Sequence, residues 1–189
     1  MEAYLDNSAT TRVDAQVQEL MKKLMDVDFG NPSSRHQKGV VAEGYIKEAR
    51  QKIASTLKVD PKEFIITSGG TESNNMALIG TALAAKRKGN HIITTAVEHP
   101  SVKATASFLE EQGFRITFLS VDSRGQISLE DLKEALTPDT ILVSIMYVNN
   151  EIGTIQPVEE AAKLVHATVP GAVFHVDAIQ AYGKVMIRP

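Results

Sequence analysis

The chain has 189 residues, 43% hydrophobic and 23% charged, with a formal net charge of −3; that suffices for one substantial core, or for a domain with appendages. Its mild acidity and the lack of a basic block argue against a nucleic-acid or membrane-surface partner. Without cysteine it has neither disulfides nor thiolate metal sites, and with no long apolar run or charged-then-apolar N-terminus the expectation is a soluble, cytoplasmic protein.

Residues 1–12 read as a short apolar start followed by a polar turn. Asp14 is placed to cap a helix in which Val17, Leu20, Met21, Leu24 and Met25 recur at helical spacing. Phe29-Gly30-Asn31-Pro32-Ser33-Ser34 reads as a loop, since Pro32 disfavours helix at Asn31. Asn31 suits a binding loop, but turn chemistry alone explains it. Val40 to Leu57 reads as an amphipathic helix, ended by the Val59-Asp60-Pro61 turn. From Phe64 onward, short apolar runs alternate with helical patterns. Strands are expected at 64–67, 91–95, 115–119, 141–148 and 172–177. Helices are expected from Thr71 to about Arg87, from Pro100 to Gln112 before Gly113, and from about Val158 to His166. A shorter one is capped by Ser128, with Asp131 at the capping-box position. Strands separated in this way by helices imply βαβ units: an α/β fold with a mostly parallel sheet flanked by helices.

The stretch Phe64-Ile65-Ile66-Thr67-Ser68-Gly69-Gly70-Thr71-Glu72-Ser73-Asn74-Asn75 carries the first chemical signal. An apolar run turns through two glycines into a helix, whose unpaired first N–H groups suit a phosphate. Neither common nucleotide-loop pattern can be read in it, and many such units bind nothing. Ligands of an open parallel sheet sit at the carboxyl ends of its strands. Polar clusters fall there: Gly69-Gly70-Thr71, Glu98-His99, Asn149-Asn150-Glu151, and Asp177 with Gln180. His99, before Pro100, also fits a helix-cap neighbour, and Asn149 to Gly153 fits an ordinary turn. Asp177 is harder to dismiss, because a carboxylate ending an apolar strand needs a partner. His175 alternates with it and reads as strand packing. No His, Asp and Glu group has metal-ligand spacing, so no metal is expected. A phosphate cradle, an imidazole, an amide and a carboxylate on one rim suit a flat phosphorylated cofactor. Pyridoxal 5'-phosphate fits each: phosphate on the helix N-terminus, ring on His99, pyridinium proton on Asp177.

Several motifs then fall in a familiar order. They are Tyr4-Leu5-Asp6-Asn7-Ser8-Ala9-Thr10-Thr11, Gly30-Asn31-Pro32-Ser33-Ser34, Thr67 to Asn75, Glu98-His99, Leu142 to Met146, Asn149 to Thr154 and His175 to Ala181. Through them the chain resembles, over essentially its whole length, the cysteine desulfurases of the class V aminotransferase family, with the type I pyridoxal-phosphate fold. The resemblance implies that Gly70 and Thr71 bind the phosphate, and that His99 stacks on the ring and moves protons. It implies that Asn150 positions substrate or ring, Asp177 pairs with the ring nitrogen and Gln180 reaches the phenolic oxygen. Family members take sulfur from L-cysteine, leaving alanine and an enzyme-bound persulfide for iron–sulfur cluster or thio-cofactor synthesis. They are homodimers that serve acceptors such as an iron–sulfur scaffold protein.

On this likeness, residues 1–15 form an N-terminal arm and 16–189 an incomplete cofactor-binding large domain. The family's cofactor-attaching lysine and persulfide cysteine belong beyond Pro189, and Lys184 resembles a family turn, not that lysine. The expectation is an N-terminal half, inactive alone and complemented by a separate C-terminal half. Later family strands lie between its last and first strands, so a gap in the sheet and exposed apolar edges are expected. A related aminotransferase or amino-acid lyase of the same fold, and a non-catalytic cofactor-binding or interaction module, are the alternatives.

Overall fold

The computed structural model describes residues 2–187. They form two compact units: the N-terminal region through Ile66 together with Ile187, and Thr67–Met186.

The first unit is helical. Asp14 caps α1 (Ala15–Asp26) by accepting the Gln16 N–H at 2.8 Å, as its place before an apolar-periodic run implies. The Val17, Leu20, Met21 and Met25 stripe forms but stays exposed, and α1 buries no residue. α2 (Gln37–Leu57) begins ahead of its apolar pattern because His36 caps it, with Nδ1 accepting the Gly39 N–H at 3.3 Å. Its end is set by Lys58, in left-handed conformation with φ 57°. Asn31 Oδ1 accepts the Ser33 N–H at 2.9 Å, which is the turn chemistry that competed with a binding role.

The strand expected at 64–67 does not form. Phe64 leaves the short 3-10 turn Pro61–Glu63 with extended backbone, φ −92° and ψ 120°. Extended chain becomes a strand only through ladder bonds, and among the described residues this segment makes none. Ile65 and Ile66 are accordingly 65% and 54% exposed. The sheet therefore has four strands where the pattern of apolar runs implied five.

The second unit contains every other expected element: α3 (Gly70–Ala85), β1 (His91–Thr95), α4 (Pro100–Glu111), β2 (Arg115–Leu119), α5 (Leu129–Ala135), β3 (Thr140–Met146), α6 (Val158–Thr168) and β4 (Val173–Asp177). The strands are parallel in the order β2-β1-β3-β4. β1 and β3 lie inside and are buried along their whole length, which is why β3 reads as a continuous apolar run. On one face Ile92 and Leu142 pack with Leu78, Ala82, Val102 and Leu109 of α3 and α4. On the other, Ile93, Val143 and Ile145 pack with Leu132 of α5 and Ala161 and Val165 of α6. Parallel pairing brings the ends of β1, β3 and β4 to one edge, with Met146 level with Asp177.

At the opposite edge His91 is fully buried among hydroxyls, with Nδ1 2.8 Å from Thr140 Oγ1 and Nε2 2.8 Å from Thr117 Oγ1. Burial, and secondarily the Arg115 charge, pushes its pKa down from 6.5 to about 4. On acidification the unfolded chain takes up this proton first, so stability present above pH 6.5 is lost as the pH falls toward 4. Urea unfolding at stepped pH should show a loss of up to about 3 kcal/mol from this group. His91→Asn should remove that component, and equal pH slopes in parent and variant would show that His91 titrates normally.

Candidate active site

α3 begins at Gly70 with Gly69 as its cap residue, and no side chain caps it. Its first-turn N–H groups are therefore left for another acceptor. The preceding loop is held by its own contacts: Glu72 Oε2 accepts the Ser68 N–H and Oγ–H, each at 2.6 Å, and Thr67 Oγ1 lies 2.7 Å from Ser73 Oγ. A Cβ added at Gly69 would meet open space, whereas one at Gly70 would lie 1.8 Å from Ile179 Cδ1. Glycine at 70 thus lets the segment after β4 close over the start of α3. Thr71 is exposed in the first turn.

Asp177, the last residue of β4, is 7% exposed. Its Oδ2 accepts from Asn74 Nδ2 at 2.8 Å and its Oδ1 accepts the Ile179 N–H at 3.1 Å. Asn74, 3% exposed, also donates to Ser101 Oγ at 3.0 Å. Ser101 Oγ in turn lies 2.8 Å from His99 Nδ1, which accepts the Ser101 N–H at 3.1 Å. His99 is half-buried and caps α4, so the capping reading of this residue is correct as far as it goes. His175, also on β4, bonds Ser144 Oγ through Nδ1 at 2.9 Å, and its burial lowers its pKa. That is strand packing, as its alternation with Asp177 implied.

Asn149 holds a turn: its Oδ1 accepts the Glu151 and Ile152 N–H groups at 2.9 and 3.0 Å, and Gly153 has φ 73°. The same side chain reaches the loop before His99, donating to Val97 O at 2.9 Å. Asn150 follows, half-buried. Gln180 Oε1 accepts from Lys184 Nζ at 3.0 Å. The network thus joins Asp177 to His99 through Asn74 and Ser101, while Gly70 is brought to it through Ile179.

Two members of the network, Asn74 and Ser101, had no role in the sequence reading. Asn74 left a trace there: with Leu78 and Ala82 it forms a buried stripe at four-residue spacing, one polar residue among apolar ones. Ser101 left none, because a serine in the first turn after His-Pro is ordinary.

Glu98 is a second buried carboxyl, 2% exposed. Its Oε1 accepts from Thr95 Oγ1 at 2.9 Å and from the Met146 N–H at 2.8 Å, tying the end of β1 to the end of β3. Its Oε2 has no hydrogen-bond partner among the described residues. Burial, opposed by these bonds and aided by the Asp177 charge, pushes its pKa up from 4.5 to about 7.

Residues 3–188 match the family described as Aminotransferase class-V. The chain belongs to that family. Members of this aminotransferase class V family are pyridoxal-phosphate enzymes. The chain is 50% identical over 187 residues to "Cysteine desulfurase IscS" of Dictyoglomus turgidum, covering 99% of this chain and 47% of that protein. It thus spans about half the length of the curated relatives it matches. A solved "NIFS-LIKE PROTEIN" superposes with a TM-score of 0.97 at 42% identity, over 100% of this chain and 52% of the other. A second, "SspA in complex with cysteine", superposes with a TM-score of 0.93 at 39% identity, over 98% and 53%. No helix among the described residues is long and apolar enough to cross a membrane. The described residues also hold no cluster of three or more candidate metal ligands.

The raised pKa of Glu98 has a stability consequence opposite in sign to that of His91. The folded chain keeps the proton to higher pH than the unfolded one, so this contribution is complete below pH 4.5 and lost as the pH rises through about 7. Between pH 5 and 8 the parent should lose up to about 3 kcal/mol through this group. Glu98→Gln keeps the Oε1 acceptor and cannot ionise, so its urea midpoint should lack that decline. Parallel pH profiles for parent and variant would show that Glu98 is already ionised in the fold.

Proposed function

We propose that this chain supplies the pyridoxal-phosphate-binding part of a cysteine desulfurase acting on L-cysteine. The observation that carries the reading is the buried Asp177 carboxylate, held by Asn74 and the Ile179 N–H at the strand edge where His99 stands. A buried carboxylate with protein donors on both oxygens still has lone pairs for one more donor, such as a ring N–H. The uncapped start of α3 offers N–H groups and a positive dipole end at Gly70 and Thr71, the donor set a phosphate needs. These residues fit the cofactor in charge and chemistry.

In this reading Gly70 and Thr71 hold the phosphate, Asp177 pairs with the ring nitrogen and Gln180 reaches the phenolic oxygen. Asn150 positions the ring or the substrate. His99 lies against the ring face and exchanges a proton at Nε2, because its Nδ1 is engaged by Ser101. Bound there, pyridoxal phosphate supplies an electron sink for negative charge developing at the substrate's α-carbon. The sulfur acceptor, a homodimeric assembly, a complementing C-terminal half, a cytoplasmic setting and the division into a 1–15 arm and a 16–189 large domain belong to the same proposal. A chain without cysteine has no thiolate to take up sulfur. The chain by itself is therefore read as a cofactor-binding part and not as a complete catalyst.

Equilibrium dialysis of the pure chain against pyridoxal phosphate should show weak, saturable binding. Asp177→Ala should weaken it about tenfold or more, the scale of one hydrogen bond to a charged group. L-Cysteine should yield no sulfide with the chain alone. Absence of saturable binding, equal affinity in the Asp177 variant, or sulfide release would each overturn the reading.

A further inference from the structure

We propose that Asn74 and Ser101 are positioning residues that hold the His99 ring, in the tautomer its backbone contact selects, and the Asp177 carboxylate together, through one buried hydrogen-bond chain. The direction of every bond in the chain follows from its first member. The Ser101 backbone N–H can only donate, and it meets His99 Nδ1 at 3.1 Å, so Nδ1 carries the lone pair and the ring proton sits on Nε2. The Ser101 hydroxyl, 2.8 Å from the same Nδ1, must then donate to it as well. Its oxygen is left as an acceptor, and Asn74 Nδ2 donates to it at 3.0 Å. The second Nδ2 hydrogen goes to Asp177 Oδ2 at 2.8 Å, which requires an accepting carboxylate oxygen.

Each donor in this chain has one acceptor, and no bond in it can be reversed without leaving two donors or two acceptors facing each other. Burial makes that mismatch expensive: Asn74 and Asp177 are 3% and 7% exposed, so water cannot repair it. Asn74 is held at this point by the same α3 face that buries Leu78 and Ala82. Ser101 is fixed in the first turn of α4, where Thr105 Oγ1 bonds its carbonyl at 2.8 Å. Helices α3 and α4 thereby set the proton inventory of a strand residue and a loop residue at once. His99 is left with a single exchangeable ring position, Nε2, and Asp177 keeps its remaining lone pairs for a ring N–H. The inference deepens the proposed function, since it rests on His99 and Asp177 being the cofactor-facing groups.

The test is the imidazole proton itself, read in the cofactor-free full chain labelled with 15N-histidine. The chain has five histidines, and loss of one signal set in His99→Gln assigns that residue. Long-range 1H–15N spectra should show His99 as a single Nε2–H tautomer in the parent. Ser101→Ala and Asn74→Ala keep the backbone donor and with it the Nε2–H tautomer, but each should move the His99 Nδ1 shift downfield as the hydroxyl donor is lost or freed to rotate, whereas Ser101→Thr should keep the parent pattern. The Asn74 variant is the sharper arm, because that side chain does not touch His99. Should it fail to fold, the Ser101→Ala and Ser101→Thr pair decides. Parent-like His99 shifts in every folded variant would overturn the proposal. An Nδ1 shift that responds in a chain that binds no pyridoxal phosphate would support the relay and remove the cofactor reading. Cofactor binding with an unresponsive Nδ1 shift would do the reverse.

Discussion

A carboxylate buried at the end of a parallel strand is tolerated only where donors meet it, and Asp177 imposes that condition on its surroundings. Its two oxygens are met by Asn74 of α3 and by the backbone just past β4. For Asn74 to arrive there, α3 must lie on the sheet with Leu78 and Ala82 buried beneath it. For the backbone to curl back, Ile179 must come against Gly70, where a side chain would be in the way. The uncapped start of α3 and the carboxylate are thus brought to one edge by the same packing.

Glu98 answers the same problem differently. It too is buried at that edge, but only one of its oxygens finds donors, and both donors serve to join β1 to β3. Burial, with the Asp177 charge nearby, therefore pushes its pKa up to about 7. Two carboxyls at the carboxyl end of one sheet are therefore handled by different means: donors on both oxygens for Asp177, a raised pKa for Glu98. Below that pKa Glu98 secures the strand ends without placing a second negative charge beside the first.

The first unit presents the opposite situation, with apolar side chains that nothing in the described chain covers. The α1 stripe and Ile65-Ile66 remain exposed, although their spacing and composition are those of segments that ordinarily pack. Local sequence made the helix and the extended run; burial needs a surface to bury them against.

What the sequence determined by itself is whatever depends on neighbours along the chain. Helix caps at Asp14 and Ser128, the stop at Gly113, and the fully buried run of β3 were legible because capping, left-handed turns and apolar continuity are local properties. The alternation of strands and helices fixed the parallel sheet, and with it the edge where β1, β3 and β4 end beside His99 and Asp177. Tertiary structure decided the rest. Residues 64–67 have a strand's composition but no strand, since a strand exists only with a ladder partner. Asn74 and Ser101 were unremarkable in one dimension, and Glu98 stood out only as the neighbour of His99, because their roles lie in bonds to residues as distant as Asp177 and Met146. A hydrogen bond between segments far apart in the chain leaves no periodicity to read; only the packing of α3 and α4 on the sheet brings its two ends within reach.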